Sequence, residues 1–280
     1  MKIAIQGEAG SFSHEAALKL VADAEIVPCS LSVEVFAALD SGLADAAVIP
    51  IENSLAGSVL EHFDLLLTHD VKVAHETLLR IRHNLIAVAG VTIDAIDRVY
   101  SHPVALAQCR RFLAAHSKMK AIAFYDTAGS VKQLVEAAAE ESKHAAAIAS
   151  EAAARYYGAS ILQAGIEDNP ENYTRFFLVR PVRGASADAE AEPGSNKISI
   201  AFSVENRPGS LVAALTALSA QGTNLTKIES RPVQGKPWEY IFYVDCQIGS
   251  SDEGARVLDA LRAHCGMVKE LGRYREARGA

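Results

Sequence analysis

Residues 169–176 lead from a polar loop into an apolar strand, and this segment contains the clearest candidates for residues that take part in chemistry. Because successive strand side chains alternate between faces, Thr174 and Phe176 share one face while Arg175 points to the other. On one face of a cleft, a threonine can donate a hydrogen bond to a ligand and an aromatic side chain can pack against a small ring of that ligand. A surface threonine that opens a strand gives the same pattern, and the segment taken by itself favours that simpler interpretation.

A second polar loop, residues 50–59, lies between a predicted buried strand and a predicted helix. It carries Glu52, Asn53 and Ser54 in succession, which is more polarity than a simple turn needs. Ligands of open α/β sheets gather at the carboxyl ends of strands, so this loop is a candidate binding segment. The alternative is an elaborate helix cap in which Glu52 pairs with a nearby cation.

Residues 7–13 form a glycine-containing loop between a predicted strand and a predicted helix. Glycines let backbone amides approach a ligand, and a helix N-terminus favours an anion. Ser11 or Ser13 can also simply cap the helix. The Gly-Lys-Ser/Thr of a phosphate-binding P-loop is absent, as is G-x-G-x-x-G.

The loop at residues 101–103 places Ser101 and His102 directly before Pro103, with Gln108 one to two turns into the next helix. Pro103 suits a first helical turn and Ser101 a cap. His102 can carry a proton, but a lone histidine near a turn is more often structural. The nine histidines of the chain show no dense metal-binding spacing, so we predict no metal site.

The composition is that of an ordinary globular protein, with 50% hydrophobic and 22% charged residues over 280 positions. That length exceeds the roughly 100–200 residues of one domain, so we expect two cores. A formal net charge of −7 without a long basic stripe argues against a nucleic-acid partner. The four cysteines form no C-x-x-C pair and predict reduced thiols.

The chain carries no sequence signal for export or for a membrane span. Its first apolar run is interrupted at Gln6, too early for a signal peptide. No stretch of about 20 apolar residues lacks charges. We therefore expect a cytoplasmic protein without a membrane partner.

Short β-branched runs alternate with helical patterns through the first 182 residues. Strands are predicted at 3–6, 26–28, 46–49, 98–101, 121–124, 145–149 and 175–179, helices at 14–22, 33–39, 105–115, 131–139 and 152–157, and long apolar stretches lie at 71–81 and 84–89. Such alternation favours mostly parallel sheets covered by helices. Either one doubly wound sheet or two smaller lobes with a cleft fits the length, and periodicity does not choose between them.

Residues 183–196 contain no large apolar side chain and predict a linker, because they cannot bury enough surface to offset their ordering entropy. Beyond them, strands at 197–204, 224–231, 238–247 and 267–274 and helices at 209–220 and 253–264 follow in β-α-β-β-α-β order. This is the ferredoxin-like pattern. The predicted domains are therefore a body at 1–182, the linker at 183–196 and a second module at 197–274.

The loops of the second module predict a small zwitterionic ligand. Residues 205–212 join its first strand to its first helix, and residues 224–226 and 229–232 flank the next strand. Free amides at a helix start suit a carboxylate, while asparagine or carbonyl oxygens suit an ammonium group. Together these needs describe a free amino acid.

These segments resemble the prephenate dehydratase family across essentially the whole chain. The resemblance is carried by residues 7–13, 50–59, 101–103 with Gln108 and Cys109, 145–149, and 172–176, which is similar to the family's Thr-Arg-Phe signature. The second module resembles the family's ACT amino-acid-sensing domain in its Pro-Gly-Ser-Leu-Val loop and its Glu-Ser-Arg-Pro segment. Some members carry a chorismate mutase domain in front, and because the first strand begins at Lys2 we expect a monofunctional enzyme.

The resemblance implies an α/β fold with a two-lobed, periplasmic-binding-protein-like body and a C-terminal ferredoxin-like ACT domain. It implies decarboxylating dehydration of prephenate to phenylpyruvate in L-phenylalanine biosynthesis, with no cofactor because aromatisation drives the reaction. Thr174 matches the residue implicated in donating to the leaving hydroxyl. The substrate-binding residues that it implies are Ser11, Asn53, Ser54, Ser101, Gln108, Arg175 and Phe176.

The resemblance also implies feedback inhibition by L-phenylalanine bound between paired ACT domains of a homo-oligomer, either a dimer or a tetramer. The implied allosteric residues are Asn206, Pro208, Gly209, Ser210, Leu211, Val212, Asn224, Leu225, Glu229 and Ser230. Two alternatives stay open. One is an arogenate dehydratase, whose substrate carries an amine in place of the side-chain ketone, and the other is a non-catalytic amino-acid sensor.

Overall fold

A computed structural model describes residues 1–182, 193–233, 235–236 and 238–277. Most of the predicted linker, residues 183–192, lies outside the described residues. The chain forms two compact units: the first comprises Met1–Ser58 and Leu78–Phe176, and the second comprises Val59–Thr77 and the chain from Phe177 onward. None of the described helices is long and apolar enough to cross a membrane.

Eleven strands and eight α-helices precede residue 182. The strands are β1 (Lys2–Gln6), β2 (Glu25–Cys29), β3 (Ala46–Asn53), β4 (Gly57–Ser58), β5 (Val71–Arg80), β6 (Asn84–Ala87), β7 (Arg98–Ser101), β8 (Lys120–Ala123), β9 (Ala145–Ala149), β10 (Ser160–Gln163) and β11 (Tyr173–Pro181). The helices are α1 (Phe12–Leu20), α2 (Ser32–Ser41), α3 (Leu60–Thr68), α4 (Pro103–Gln108), α5 (Arg110–Ala115), α6 (Thr127–Glu136), α7 (Ala139–Ser142) and α8 (Glu151–Tyr157).

These strands form two separate sheets, which resolves the choice between one sheet and two lobes. The first sheet has the order β2-β1-β3-β11-β5, with β4 paired to β3, and the second has the order β10-β6-β9-β7-β8. In each sheet three neighbouring strands run parallel, β2-β1-β3 and β8-β7-β9. The second sheet departs from the expectation of mostly parallel sheets at one strand: the pairs β6-β9 and β10-β6 are antiparallel, so β6 alone runs against the other four strands of that sheet.

The second module folds as β12 (Lys197–Ser203), α9 (Ser210–Ala220), β13 (Asn224–Pro232), β14 (Tyr240–Gln247), α10 (Ser251–Arg262) and β15 (Met267–Tyr274). Its sheet has the order β13-β14-β12-β15 and its pairs are antiparallel, so the predicted ferredoxin-like pattern is confirmed. Alternate side chains of β12 point to the helices, where Ile198, Ile200 and Phe202 are fully buried with Val257 and Leu261 of α10.

The second unit also contains α3 and part of β5, and a half-buried cation, Lys269, holds α3 to the module's sheet. Lys269 on β15 donates through Nζ to the carbonyl oxygens of Leu66, Leu67 and His69, at 3.0, 2.8 and 2.8 Å. These carbonyls belong to the C-terminal end of α3, where a helix has unpaired acceptors and favours a positive charge. Burial lowers the pKa of Lys269, so the three carbonyls supply the partners that a desolvated ammonium needs.

Close backbone approach between β15 and β5 predicts a specific sensitivity at Gly272. A Cβ atom on Gly272 would lie 2.2 Å from the carbonyl oxygen of Val73, which is backbone and cannot turn away. We expect Gly272→Ala to lower the free energy of unfolding by about 1–3 kcal/mol or more, because the strands must separate. Urea unfolding measures this.

Gly266→Ala is the matched control, since a Cβ there meets only the hydroxyl oxygen of Ser203 at an ordinary 3.6 Å. Equal stability of the two variants would contradict the close approach of β15 and β5.

Candidate active site

The predicted donor, Thr174, lies beside Asn53 where two neighbouring strands of the first sheet meet. Strand β3 ends at Asn53 and strand β11 begins one residue before Thr174. The Nδ2 atom of Asn53 donates to Oγ1 of Thr174 at 2.9 Å and to the carbonyl oxygen of Tyr173 at 3.2 Å. Thr174 is buried, with 8% of its surface exposed, and the described part of the chain provides no acceptor for its hydroxyl hydrogen. That hydrogen therefore remains for a ligand.

The amide of Asn53 is fixed by the turn that follows β3. Its Oδ1 atom accepts from the backbone N–H groups of Leu55 and Ala56, at 3.0 and 2.8 Å. An Asx turn of this kind ties an asparagine oxygen to the backbone that follows it. The NH₂ group of Asn53 must consequently point the other way, towards Thr174.

Two further amides continue from Asn53. Its Nδ2 atom also donates to Oδ1 of Asn172 at 2.7 Å, and Nδ2 of Asn172 donates to Oε1 of Gln108 at 2.9 Å. Asn172 is fully buried. The structure thus brings together Thr174, Asn53 and Gln108, three residues predicted from sequence, through an asparagine to which the sequence assigned no role.

Gln108 is positioned by a break in the helix predicted at 105–115. That expectation of one helix is wrong, since α4 ends at Gln108 and α5 begins at Arg110. Asp168 is the reason: its carboxylate accepts from the backbone amides of Arg110 and Arg111 at 3.1 and 2.9 Å, and its own amide donates to the carbonyl of Gln108 at 2.7 Å. A side chain that caps a second helix start inside a run interrupts the i to i−4 bonds of the first.

The chain of amides ends at His83, which the sequence interpretation missed. Nε2 of His83 lies 2.9 Å from Oε1 of Gln108, and the backbone amide of His83 donates to Oε2 of Glu167 at 2.9 Å. The ring is 2% exposed and lies nearly perpendicular to the ring of Phe12, with the two centroids 5.6 Å apart. Burial lowers the pKa of His83, so the neutral imidazole is favoured. A single histidine between two apolar stretches has no spacing signal that could have revealed this contact.

Ser101 and Ser54, both predicted to bind substrate, have hydroxyls engaged by backbone. Oγ of Ser101 is fully buried and donates to the carbonyl of Ile148 at 2.5 Å. The cap of α4 is His102 rather than Ser101, with Nδ1 of His102 accepting from Val104 N at 3.3 Å. Oγ of Ser54 accepts from the amide of Tyr173 at 3.0 Å and donates to a carbonyl at 3.1 Å. Substrate contact by these serines stays a prediction.

Arg175 and Phe176 are both deeply buried. Nη1 of Arg175 lies 4.0 Å from Oε2 of Glu52, at the outer limit of an ion pair, and Arg175 is 9% exposed. Phe176 is 2% exposed. Their roles towards substrate stay predictions as well.

The glycines of residues 7–13 serve close packing inside the body. Gly10 has φ of 86°, and a Cβ there would lie 2.8 Å from Cα of Ala153 on α8. Its carbonyl accepts from Ser150 Oγ at 2.7 Å, and its amide donates to Nδ1 of His14 at 2.8 Å. Ser11 is the cap of α1. These contacts account for the small residues, and binding of a ligand by Ser11 stays a prediction.

A cavity of about 400 Å³ opens beside this loop. It is lined by Gln6, Gly7, Glu8, Pro28, Cys29, Ser30, His102, Tyr125, Asp126 and Lys132. Tyr125 donates to Glu8 at 3.0 Å, and Lys132 pairs with the other oxygen of Glu8 at 3.2 Å. Burial, followed by the charge and hydrogen bond of Glu8, raises the pKa of Tyr125 to about 12. Thr174 does not line this cavity. We take the amide chain as the candidate site because it includes Thr174, whose buried hydroxyl hydrogen has no acceptor among the described residues.

A two-sheet α/β body with convergent polar side chains, followed by a ferredoxin-like module, defines an enzyme body joined to a small-molecule-binding regulatory module. Residues 3–183 match the family model described as prephenate dehydratase, and residues 198–264 match the ACT domain model. The chain belongs to the prephenate dehydratase family and carries an ACT regulatory domain.

Among similar proteins, two are named as dehydratases and one solved structure is described as an acylase. The chain is 40% identical over 287 residues to arogenate dehydratase/prephenate dehydratase 2, chloroplastic, of Arabidopsis thaliana, covering 98% of this chain and 72% of that protein. The prephenate dehydratase of Arthrobacter aurescens in complex with L-Phe is 30% identical with a TM-score of 0.87, covering 99% and 90% of the two chains. A structure described as GqqA, a novel type of quorum quenching acylase, is 29% identical with a TM-score of 0.87, covering 99% and 98%.

The bond from Gly10 to His14 predicts a pH dependence of stability. Burial lowers the pKa of His14 in the folded chain, so the unfolded chain, with a histidine pKa near 6.5, binds the proton first as the pH falls. The free energy of unfolding should therefore decrease as the pH drops below about 6.5. His14→Asn keeps an acceptor for Gly10 but does not titrate, and should flatten this decrease.

Urea unfolding at pH 7.5 and at pH 5.5 gives the measurement, and His264→Asn, at an exposed position, is the control. Some slope should remain in His14→Asn because burial also lowers the pKa of His83. A slope identical to that of the wild type would contradict the role of His14.

Proposed function

We propose that this chain catalyses the decarboxylating dehydration of prephenate to phenylpyruvate, a step of L-phenylalanine biosynthesis. The observation that supports it most is the hydroxyl of Thr174, whose oxygen accepts from Asn53 at 2.9 Å so that its hydrogen is left to donate. Family membership supports the same reaction.

The reaction places a defined demand on that hydroxyl. The bond from the ring to its carboxylate breaks, its electron pair forms the new ring double bond, and the ring C–O bond breaks, so that carbon dioxide and hydroxide leave. The hydroxide takes a proton from solvent to become water. Aromatisation supplies the driving force. A hydrogen bond from Thr174 stabilises the negative charge that develops on the departing oxygen, and a well-placed donor of this kind contributes about 10²–10³-fold to the rate. The threonine hydroxyl has too high a pKa to transfer its own proton.

Substrate choice between prephenate and arogenate rests on one polar group of the side chain. The Arabidopsis relative carries both activities in its name, which supports either substrate. We propose prephenate, and kcat/KM measured on both compounds decides. A higher kcat/KM on arogenate would make the chain an arogenate dehydratase, and the proposed role of Thr174 would be unchanged.

Thr174→Ala should reduce kcat on prephenate by about 10²-fold or more, because it removes the donor to the leaving oxygen. Thr174→Ser keeps the hydroxyl and should retain a substantial part of kcat. Release of phenylpyruvate, followed by its absorbance, gives kcat and KM. Far-UV circular dichroism and phenylalanine binding should match the wild type, since Thr174 lies in the first unit. Near-normal kcat in Thr174→Ala would refute the role.

We also propose that phenylalanine binds the ACT domain and inhibits the reaction. Helix α9 begins after Gly209, which has φ of 84° and brings no side-chain cap, so backbone amides at that start suit a carboxylate. Strand β13, which carries Glu229 and Ser230, is an edge strand. A complex of the Arthrobacter relative with L-Phe supports the ligand. We further propose a cytoplasmic homo-oligomer, a dimer or tetramer, with domains at 1–182 and 197–274 joined by the linker at 183–196.

Helix α3 provides a route for this inhibition. It begins at Leu60, two residues after Ser58, so the polypeptide leads directly from the turn of Asn53 into the second unit. Arg231 on β13, in the Glu-Ser-Arg-Pro segment, bonds Asp64 of α3 through two nitrogens, Nε at 3.2 Å and Nη2 at 2.5 Å. A ligand that shifts β13 would therefore shift α3 through Arg231 and Asp64, and α3 is continuous in sequence with the turn of Asn53.

Asp64→Asn should weaken inhibition by phenylalanine about fivefold or more, because a coupling free energy of about 1–3 kcal/mol is typical and the paired charge is lost. The kcat without phenylalanine should change less than about twofold, since Asp64 lies on α3 in the second unit whereas Thr174 lies in the first. Asp259→Asn is the control, because it breaks an exposed pair with Arg262 at 2.7 Å. Unchanged inhibition in Asp64→Asn would exclude this route.

A further inference from the structure

We propose that His83 and Asn172 are positioning residues that force Gln108 and Thr174 to face the substrate as hydrogen-bond donors. The inference rests on the proposed function, because it assigns how the same site is held. It concerns two residues that contact the reacting groups only through other side chains.

The turn after β3 determines the direction of each side-chain hydrogen bond between Asn53 and His83. Backbone amides can only donate, so the atom of Asn53 that meets Leu55 N and Ala56 N must be its oxygen. The other end of Asn53 is then an NH₂ group, which donates to Asn172 and to Thr174. The orientation of an amide, which is usually uncertain, is here fixed by its neighbours.

The same reasoning fixes the next two amides. Asn172 accepts at Oδ1 from Asn53, so its NH₂ group faces Gln108, and the Gln108 atom it meets at 2.9 Å must be the oxygen. Gln108 Oε1 then also faces Nε2 of His83 at 2.9 Å. An oxygen cannot donate there, so Nε2 of His83 must carry the hydrogen.

The surroundings of His83 agree with that tautomer. Its Nδ1 atom is buried and has no hydrogen-bond partner among the described residues. In a neutral imidazole one nitrogen donates and the other accepts, and leaving an acceptor without a partner forfeits no buried N–H. Nε2–H is therefore the tautomer in which the one hydrogen of the ring is used.

This network of amides leaves hydrogen-bond donors available to a ligand. The oxygen of Gln108 is held by two donors, so Gln108 can offer a ligand only its N–H groups, and the oxygen of Thr174 is held by Asn53. A substrate with two carboxylates and a departing hydroxyl is rich in acceptors. If Gln108 turned over, it would present an oxygen to those acceptors and leave the N–H of His83 facing an NH₂ group.

The first experiment compares His83→Leu with His83→Gln. Leucine removes the donor, whereas the amide of glutamine can place an N–H near the position of Nε2. We expect His83→Leu to lower kcat/KM on prephenate about tenfold or more, below the roughly 10²–10³-fold cost of losing a direct donor, and His83→Gln to stay within about threefold of the wild type. A merely space-filling ring would not distinguish the two, so equal losses, or none, overturn the proposal.

Asn172 is tested by Asn172→Asp, which keeps the acceptor for Asn53 but replaces the donor to Gln108 with an oxygen. Asn169→Asp is the matched control in the same loop, because Oδ1 of Asn169 only accepts, from the amide of Glu171 at 2.9 Å. We expect a fall in kcat/KM of about tenfold or more for Asn172→Asp and little change for Asn169→Asp. Equal values for the two variants would overturn the role of Asn172.

A measurement without turnover separates this inference from the proposed function. The ¹⁵N chemical shifts of the His83 ring in the wild-type protein, assigned by comparison with His83→Gln, report which nitrogen carries the hydrogen. The Nε2–H tautomer supports the proposal even if the chain prefers another substrate, and the Nδ1–H tautomer overturns it whatever the activity. If the wild-type protein does not convert prephenate to phenylpyruvate at all, the proposed function is refuted instead.

Discussion

The two backbone amides that hold the oxygen of Asn53 set the polarity of everything around the candidate site. They are part of a tight turn after β3, and their direction cannot be reversed without breaking that turn. Leaving a buried polar group unpaired costs about 1–3 kcal/mol, so reversing any amide farther along would create at least one such loss. A local backbone feature thus specifies the orientation of side chains as distant as Gln108 and His83.

The same turn also leads into the second unit. Asn53 and Thr174 lie on strands whose chain continues, at Val59 and at Phe177, into the unit that holds the ACT domain. There α3 is held by a cation at its C-terminal carbonyls, Lys269, and by Arg231 at Asp64. The segments of the candidate site are consequently continuous with the second unit at Val59 and at Phe177, in addition to the connection that the sequence predicts at 183–196.

The residue types of the site could be predicted from sequence, whereas the reasons for their positions could not. Thr174, Asn53 and Gln108 stand at strand and helix ends where ligands gather, and their polarity in apolar surroundings is visible in the sequence. Asn172 and His83 matter only through partners 64 and 25 residues away. The break between α4 and α5 likewise depends on Asp168, which lies beyond any local propensity. Glycine positions were the weakest indicators of a binding site, because a glycine at position 10 is equally compatible with a bound anion and with close packing against Ala153.

A site built from neutral donors suits the proposed decarboxylation. The ring carboxylate loses its charge as it becomes carbon dioxide, so a cation placed on it would stabilise the substrate more than the transition state and slow the reaction. The hydroxyl gains charge as it leaves, and there a fixed donor helps. Amides and a threonine hydroxyl provide such donors without a formal charge, and burial, which lowers the pKa of His83, favours a neutral imidazole beside Gln108. The nearby guanidinium of Arg175, by contrast, faces the carboxylate of Glu52.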